Sequence, residues 1–160
     1  MKKNMFYAML FTATLISCGS DNSNTSSDAG NDNASIEMTF NMPDKEIQQL
    51  TNATGSLGES YGMSCFTFKG DNAKLEVYIN SFDLKEQAYL VNVDDITAPN
   101  ILASYKISAD GKTSDCCGKV EKESTGSMTI TTINADIISG NIDVVNYDGS
   151  SIKGSFSFAK

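Results

Sequence analysis

Four cysteines are the side chains of this 160-residue chain best suited to covalent chemistry: Cys18, Cys65, Cys116 and Cys117. Cys18 is preceded by Lys2 and Lys3, an apolar run from Met5 to Ile16, and Ser17; Gly19-Ser20-Asp21-Asn22 follows it. A positive start, a short apolar stretch and small residues at a cut site predict a secretory signal. As a helix the run would cover about 18 Å at ~1.5 Å per residue, against ~30 Å of hydrocarbon in a bilayer. It is too short to span. Export places the remaining thiols in an oxidising setting, so Cys65 is expected to pair with Cys116 or Cys117. Such a bridge closes a loop of about 50 residues, worth ~4 kcal/mol in the chain-entropy model, and leaves one thiol over. Two alternatives stay open, a strained Cys116–Cys117 ring with Cys65 free, and a metal or redox role, weakened by the lack of histidine and of a Cys-x-x-Cys pair.

Leu15-Ile16-Ser17-Cys18 resembles the lipobox of bacterial lipoproteins. That resemblance implies thioether lipidation at Cys18, loss of residues 1–17, and a protein held to a membrane by acyl chains. One acyl chain binds a membrane marginally and two or more bind stably, so full modification would give a lasting tether. In the sorting rule of enteric bacteria, aspartate after the cysteine retains a lipoprotein in the inner membrane. Gly19 stands there instead, which by resemblance favours the outer membrane over the inner.

The residue types also exclude chemistries. There is no histidine and no tryptophan, and all 12 basic residues are lysine. Without histidine, neither a Ser-His-Asp nor a Cys-His catalytic arrangement can be built, nor a zinc site with imidazole ligands. Without arginine, bidentate clamping of phosphate or carboxylate is lost. The formal charge is −8. Removal of residues 1–17 takes Lys2 and Lys3 but none of the 20 acids, which leaves −10. Such a surface repels nucleic acid and anionic lipid. No cofactor, metal or nucleic-acid partner is expected. Asp94-Asp95 and Asp143 with Asp148 suggest calcium, but no calcium-loop spacing is present, and solvated turns are the better reading. Glu76, Asp83 and Glu86 could do acid–base work only if the fold brought them together.

These groups need a frame. Gly19 to Ala34 is small and polar throughout, which predicts a disordered tether (residues 18–34) with a reach of roughly 20–25 Å. Residues 35–160 are one domain's worth of chain. Ile36 to Met42 alternates apolar and polar residues, the period of a half-buried strand. Pro43 to Leu50, with a helix-start proline and early acids, predicts a two-turn helix. Thr51 to Gly62 reads as a loop. Strands are expected over 64–69, 74–82, 87–93, 101–108, 119–123 and 127–133, with turns at Ala109-Asp110-Gly111-Lys112 and Asn134-Ala135-Asp136. The chain closes with a hairpin, 138–144 and 152–158, around Asp148-Gly149. Gly140 and Gly154 inside these strands predict bulges or bends that curl the sheet.

Many short strands between turn signals predict an all-β fold: an antiparallel β-sandwich, or a partly open barrel, with one short N-terminal helix. The closing hairpin resembles that of small β-sandwich lipoproteins of Gram-negative bacteria, which implies no activity. The expected function is a non-catalytic binding or accessory module on a leash. Two alternatives are an envelope inhibitor or immunity-type protein masking a basic partner, steered by charge, and a small sugar-binding domain or enzyme using Tyr61, Tyr78, Tyr89, Tyr105 or Tyr147.

Overall fold

The computed structural model describes residues 34–91, 98–115 and 124–160. Cys18, Cys116, Cys117, Asp94, Asp95, the tether and the strand expected over 119–123 lie outside them. Alternation builds the strands, as in β5 (Ala73–Ile79), where Leu75, Val77 and Ile79 are buried while Lys74 is exposed and Glu76 half-exposed. The same period shapes β1 (Ser35–Asn41), β4 (Met63–Lys69), β7 (Ile101–Ala109), β9 (Thr125–Ile133), β10 (Ile137–Val145) and β11 (Ser151–Ala159). Four shorter or more polar strands complete the set: β2 (Gln48–Gln49), β3 (Thr54–Ser60), β6 (Ala88–Val91) and β8 (Lys112–Asp115).

Among the described residues all eleven strands join one sheet in the order β2-β1-β11-β10-β9-β6-β7-β5-β4-β3, with β8 paired to β7. The β6–β7 pair is parallel and every other pair antiparallel, so the sheet is mixed rather than wholly antiparallel. Its curl follows from one measurement. β4 and β11 stand six positions apart, about 29 Å in a flat sheet at ~4.8 Å per strand. Yet Phe66 and Phe68 of β4 meet Phe156 and Phe158 of β11 with centroids 5.2 to 6.4 Å apart. The sheet therefore rolls into a half-barrel whose walls close on these rings. Met38, Met42 and Met128 are buried in the same core, as ordinary packing.

Both strand glycines matter to the roll. At Gly140 the β9–β10 register shifts, and a Cβ there would lie 2.1 Å from the Thr129 carbonyl oxygen. At Gly154 no register shift occurs, but a Cβ would lie 2.0 Å from the Glu37 carbonyl oxygen. One is a bulge and the other a close backbone approach, the two uses of glycine inside a strand.

Two expectations are corrected. Pro43 to Leu50 is not a helix: Lys45 N–H donates to the Met42 carbonyl in a turn, Asp44 takes the left-handed conformation (φ 63°), and Gln48–Gln49 pair with β1. Two isolated helical turns are marginal in water. The extended route buries Leu50, whose N–H donates to the Met38 carbonyl, and leaves Ile47 outside. Thr51 to Gly62 is not a loop either, since β3 pairs with β4 over its whole length.

Candidate functional site

The half-barrel has two unlike ends. β1 begins at Ser35 opposite Ser157, near the β9–β10 turn, where the Lys160 N–H donates to the Asp136 carbonyl. This is the chain-entrance end. The opposite, turn end gathers the connections at 42–47, 70–72, 110–111 and 146–150.

Side-chain hydrogen bonds tie these turns together. Lys45 is ion-paired to Asp110, and Asn41 Nδ2 donates to the Gly149 carbonyl at 2.8 Å. Asn72 Oδ1 accepts from the Thr51 N–H, and Asn72 Nδ2 donates to the Gln49 carbonyl. The best-connected loop is Asn146 to Ser150. Asn146 is buried; its Oδ1 accepts from Ser124 Oγ (2.7 Å) and the Tyr147 N–H (2.8 Å), and its Nδ2 donates to the Asp115 carbonyl (3.0 Å). Asp148 accepts from the Ser150 N–H at 2.8 Å and from Ser114 Oγ at 3.1 Å. Burial alone would raise the Asp148 pKa, but hydrogen bonds from Ser150 and Ser114 outweigh it and hold the carboxyl below its ordinary range. Lys45 holds Asp110 low by hydrogen bond and charge.

Three grooves follow from this arrangement. At the turn end, one of about 360 Å³ runs between the 70–72 and 110–111 turns, lined by Lys69, Lys74 and Lys112 among others. Beside it a cleft of about 300 Å³ is lined by Met42, Lys45, Ser114, Asp115 and Asp148. At the entrance end, a groove of about 380 Å³ is walled by Leu57, Glu59, Phe82, Asp83, Ile133 and Lys160.

The residues singled out in the sequence fall into place unevenly. Cys65 is buried on β4, its Sγ 3.8 Å from Thr67 Oγ1. It stands opposite Tyr78 on the face away from the phenylalanine core. Burial, the neighbouring Cys65 and the Glu76 charge push the Tyr78 phenol well above its usual range. Burial does the same at Tyr105, whose hydroxyl donates to the Ser150 carbonyl at 3.2 Å. The Tyr89 hydroxyl accepts from the Lys85 N–H and donates to the Lys85 carbonyl. Tyr61 is 88% exposed at a hairpin tip, and Tyr147 is half exposed in the 146–150 loop. None of the three grooves is lined by tyrosine.

The carboxylates are not brought together. Glu76 pairs with Lys74 at 2.8 Å, Asp83 with Lys85 at 3.2 Å, and Asp143 with Lys153 at 2.6 Å. Glu86 Oε1 accepts from the Ile133 N–H. Among the described residues no three carboxylates or thiols gather as metal ligands. Sequence reasoning missed the Asn146 network and the groove beside β3. Its only signals there were the Asp-Gly turn and an isolated Phe82. No family model, no curated protein and no solved structure matches this chain.

Proposed function

We propose that this chain is a lipid-anchored, non-catalytic binding module, tethered through acyl chains on Cys18 and held more at the outer than the inner membrane. One observation carries the non-catalytic reading. Three carboxylates of the turn-end clefts are engaged in fixing turns: Asp148 takes hydrogen bonds from Ser114 and Ser150, Asp110 the Lys45 charge, and Asp71 a bond from Asn52 Nδ2 at 2.6 Å. Asp148 and Asp110, held below their ordinary range by these donors, do not shuttle protons at neutral pH. They make a fixed, shaped surface instead, which is what recognition needs.

The polarity of the fold supports the leash. The described chain enters the half-barrel at Ser35, at the end opposite the turn-end clefts. The two walls closed on the phenylalanines act as a sandwich-like frame for those clefts. The formal charge of −10 that remains after loss of residues 1–17 favours a basic partner by electrostatic steering, which keeps the inhibitor reading as a special case.

Fractionation tests the anchor. Wild-type protein is expected in the membrane fraction as a lipid-modified species by mass spectrometry, and Cys18→Ser in the released fraction with residues 1–17 still attached. Equal retention of both proteins would end the anchoring reading. Intact mass before and after reduction would fix the Cys65 pairing in the same preparation.

A further inference from the structure

Tyr61 is out of keeping with its place in the chain. With Gly62 it makes the two-residue β3–β4 turn, φ 53° and 79°, in which both central residues are left-handed. Asparagine, aspartate and glycine take the first of these positions at little cost, and a bulky side chain there is an outlier. Packing does not offset the strain, because the Tyr61 side chain stands in solvent. Backbone strain that serves neither turn chemistry nor the core points to a role for the side chain beyond folding.

A second aromatic side chain stands beside it. Ser64 Oγ, three positions on from Tyr61, donates to the Ser81 carbonyl at 2.6 Å, which sets the hairpin tip against the loop after β5. Phe82 of that loop is 57% exposed and walls the entrance-end groove with Leu57, Leu84 and Ile133. The entrance end thus offers two aromatic rings on adjoining loops, with aliphatic side chains behind Phe82. Among the described residues, the charges of these connections are Glu59, Asp83, Glu86 and Asp136 against Lys85 and Lys160.

Exposed apolar side chains also occur at the turn end, Ile47 and Tyr147 among them. Chain length separates the two ends. Sixteen residues, Gly19 to Ala34, lie between Cys18 and Ser35, and a flexible coil of that length spans roughly 20–25 Å. β10, nine residues long, runs from one end to the other, about 30 Å at ~3.3 Å per residue. A bilayer against the entrance end lies within the reach of that coil. A bilayer against the turn end would hold Ser35 beyond its mean span.

We propose that the entrance end of the half-barrel rests on a zwitterionic bilayer, with Tyr61 and Phe82 set among the headgroups. The inference rests on the lipid-anchor reading and adds an orientation to it. Aromatic rings favour the depth where one side is apolar and the other wet. On a free protein two rings would hold a bilayer weakly, but an acyl anchor makes the contact intramolecular and raises its effective concentration. With four acids against two lysines, this end suits headgroups without net charge and is repelled by anionic ones. The turn-end clefts then face away from the membrane.

The chain has no tryptophan, so a single introduced one reports its own surroundings. The full chain, purified from the envelope as Phe82→Trp, as Tyr61→Trp and, for the turn end, as Ile47→Trp, is reconstituted in phosphatidylcholine vesicles with and without brominated acyl chains. In the Phe82→Trp and Tyr61→Trp proteins the emission is expected to shift to the blue and to be lost in brominated vesicles. In the Ile47→Trp protein it should stay as in water. Adding phosphatidylglycerol should weaken the quenching at position 82. Vesicle-bound, lipid-modified protein whose Phe82→Trp emission ignores bromine overturns the proposal and leaves the anchor reading standing. Equal quenching of the Ile47→Trp protein also overturns it, as does stronger quenching with phosphatidylglycerol. So does a blue shift that follows protein density without bromine quenching, which would assign the rings to a second copy. Protein that lacks the lipid mass and does not float with the vesicles ends the anchor reading, and this inference with it.

Discussion

At the scale of residues, Asp148 shows how one carboxylate converts a hairpin loop into a fixed surface. Two donors, the Ser150 N–H and Ser114 Oγ, reach it from its own loop and from β8. A carboxyl whose pKa is lower folded than unfolded contributes stability that is fully present above the ordinary aspartate range, and that stability is lost as pH falls through the lowered value. The direction at Asp148 is downward, so its contribution belongs to neutral and mildly acidic solution and fades below about pH 4. Asp148→Asn keeps the shape but weakens the charge-assisted bonds and should cost about 1 kcal/mol at neutral pH. Thermal unfolding of both proteins from neutral pH down to about pH 2 checks this. The two curves are expected to converge on acidification, and a constant gap would show that the charge of Asp148 does not hold the loop.

The elements were legible in the sequence where a strand carries its own apolar alternation, as β5 and β11 do, because one buried face writes a period of two into the residues. β3 was not legible. Thr54-Gly55-Ser56-Leu57-Gly58-Glu59-Ser60 holds one large apolar residue and two glycines, and its extended state comes from pairing with the phenylalanine-bearing β4 rather than from its own propensity. Its Tyr-Gly turn also lacks the Asn-Gly or Asp-Gly signal that marked the β7–β8 and β10–β11 hairpins. The segment from Pro43 to Leu50 misled for the opposite reason, since its composition suits a helix while Met42 and Leu50 are claimed by the core on either side of a turn. The candidate site was still less visible, because Leu57, Phe82 and Ile133 meet only through sheet order. A pair of substitutions separates the helix from the observed route. Leu50→Ala is expected to cost about 2–4 kcal/mol, the range for a buried leucine. Ile47→Ala, at a side chain 73% exposed, should stay within about 0.5 kcal/mol of wild type. On an amphipathic helix the two, three positions apart, would share a face and lose comparable stability. Urea unfolding of each variant reads the difference.

At the scale of the molecule, the question is whether the sheet acts as two walls bound across a core or as a ribbon stabilised strand by strand. Neighbouring strands exchange hydrogen bonds in either case, so strand pairing cannot distinguish the two. The rings can. Phe68 and Phe156 come from strands six positions apart, yet their centroids are 5.2 Å apart at 50°. An aromatic pair in such a tilted arrangement contributes about 0.5–1.5 kcal/mol beyond the area each ring buries. In a ribbon the losses from Phe68→Ala and Phe156→Ala would add, because residues without shared contacts rarely couple. In the closed half-barrel the second truncation enlarges a cavity that the first has already opened, and the double variant should lose less than the sum by about 1 kcal/mol. Each single change removes a buried ring and costs about 3–5 kcal/mol, so the cycle needs a background stable enough to stay folded. Phe→Leu substitutions at both positions, which remove the ring but keep a large apolar side chain, provide a milder cycle with the same expected sign. Additivity in both cycles would mean the walls do not share a core. The display of one end of a rigid frame, on which the binding-module reading depends, would then lose its physical basis.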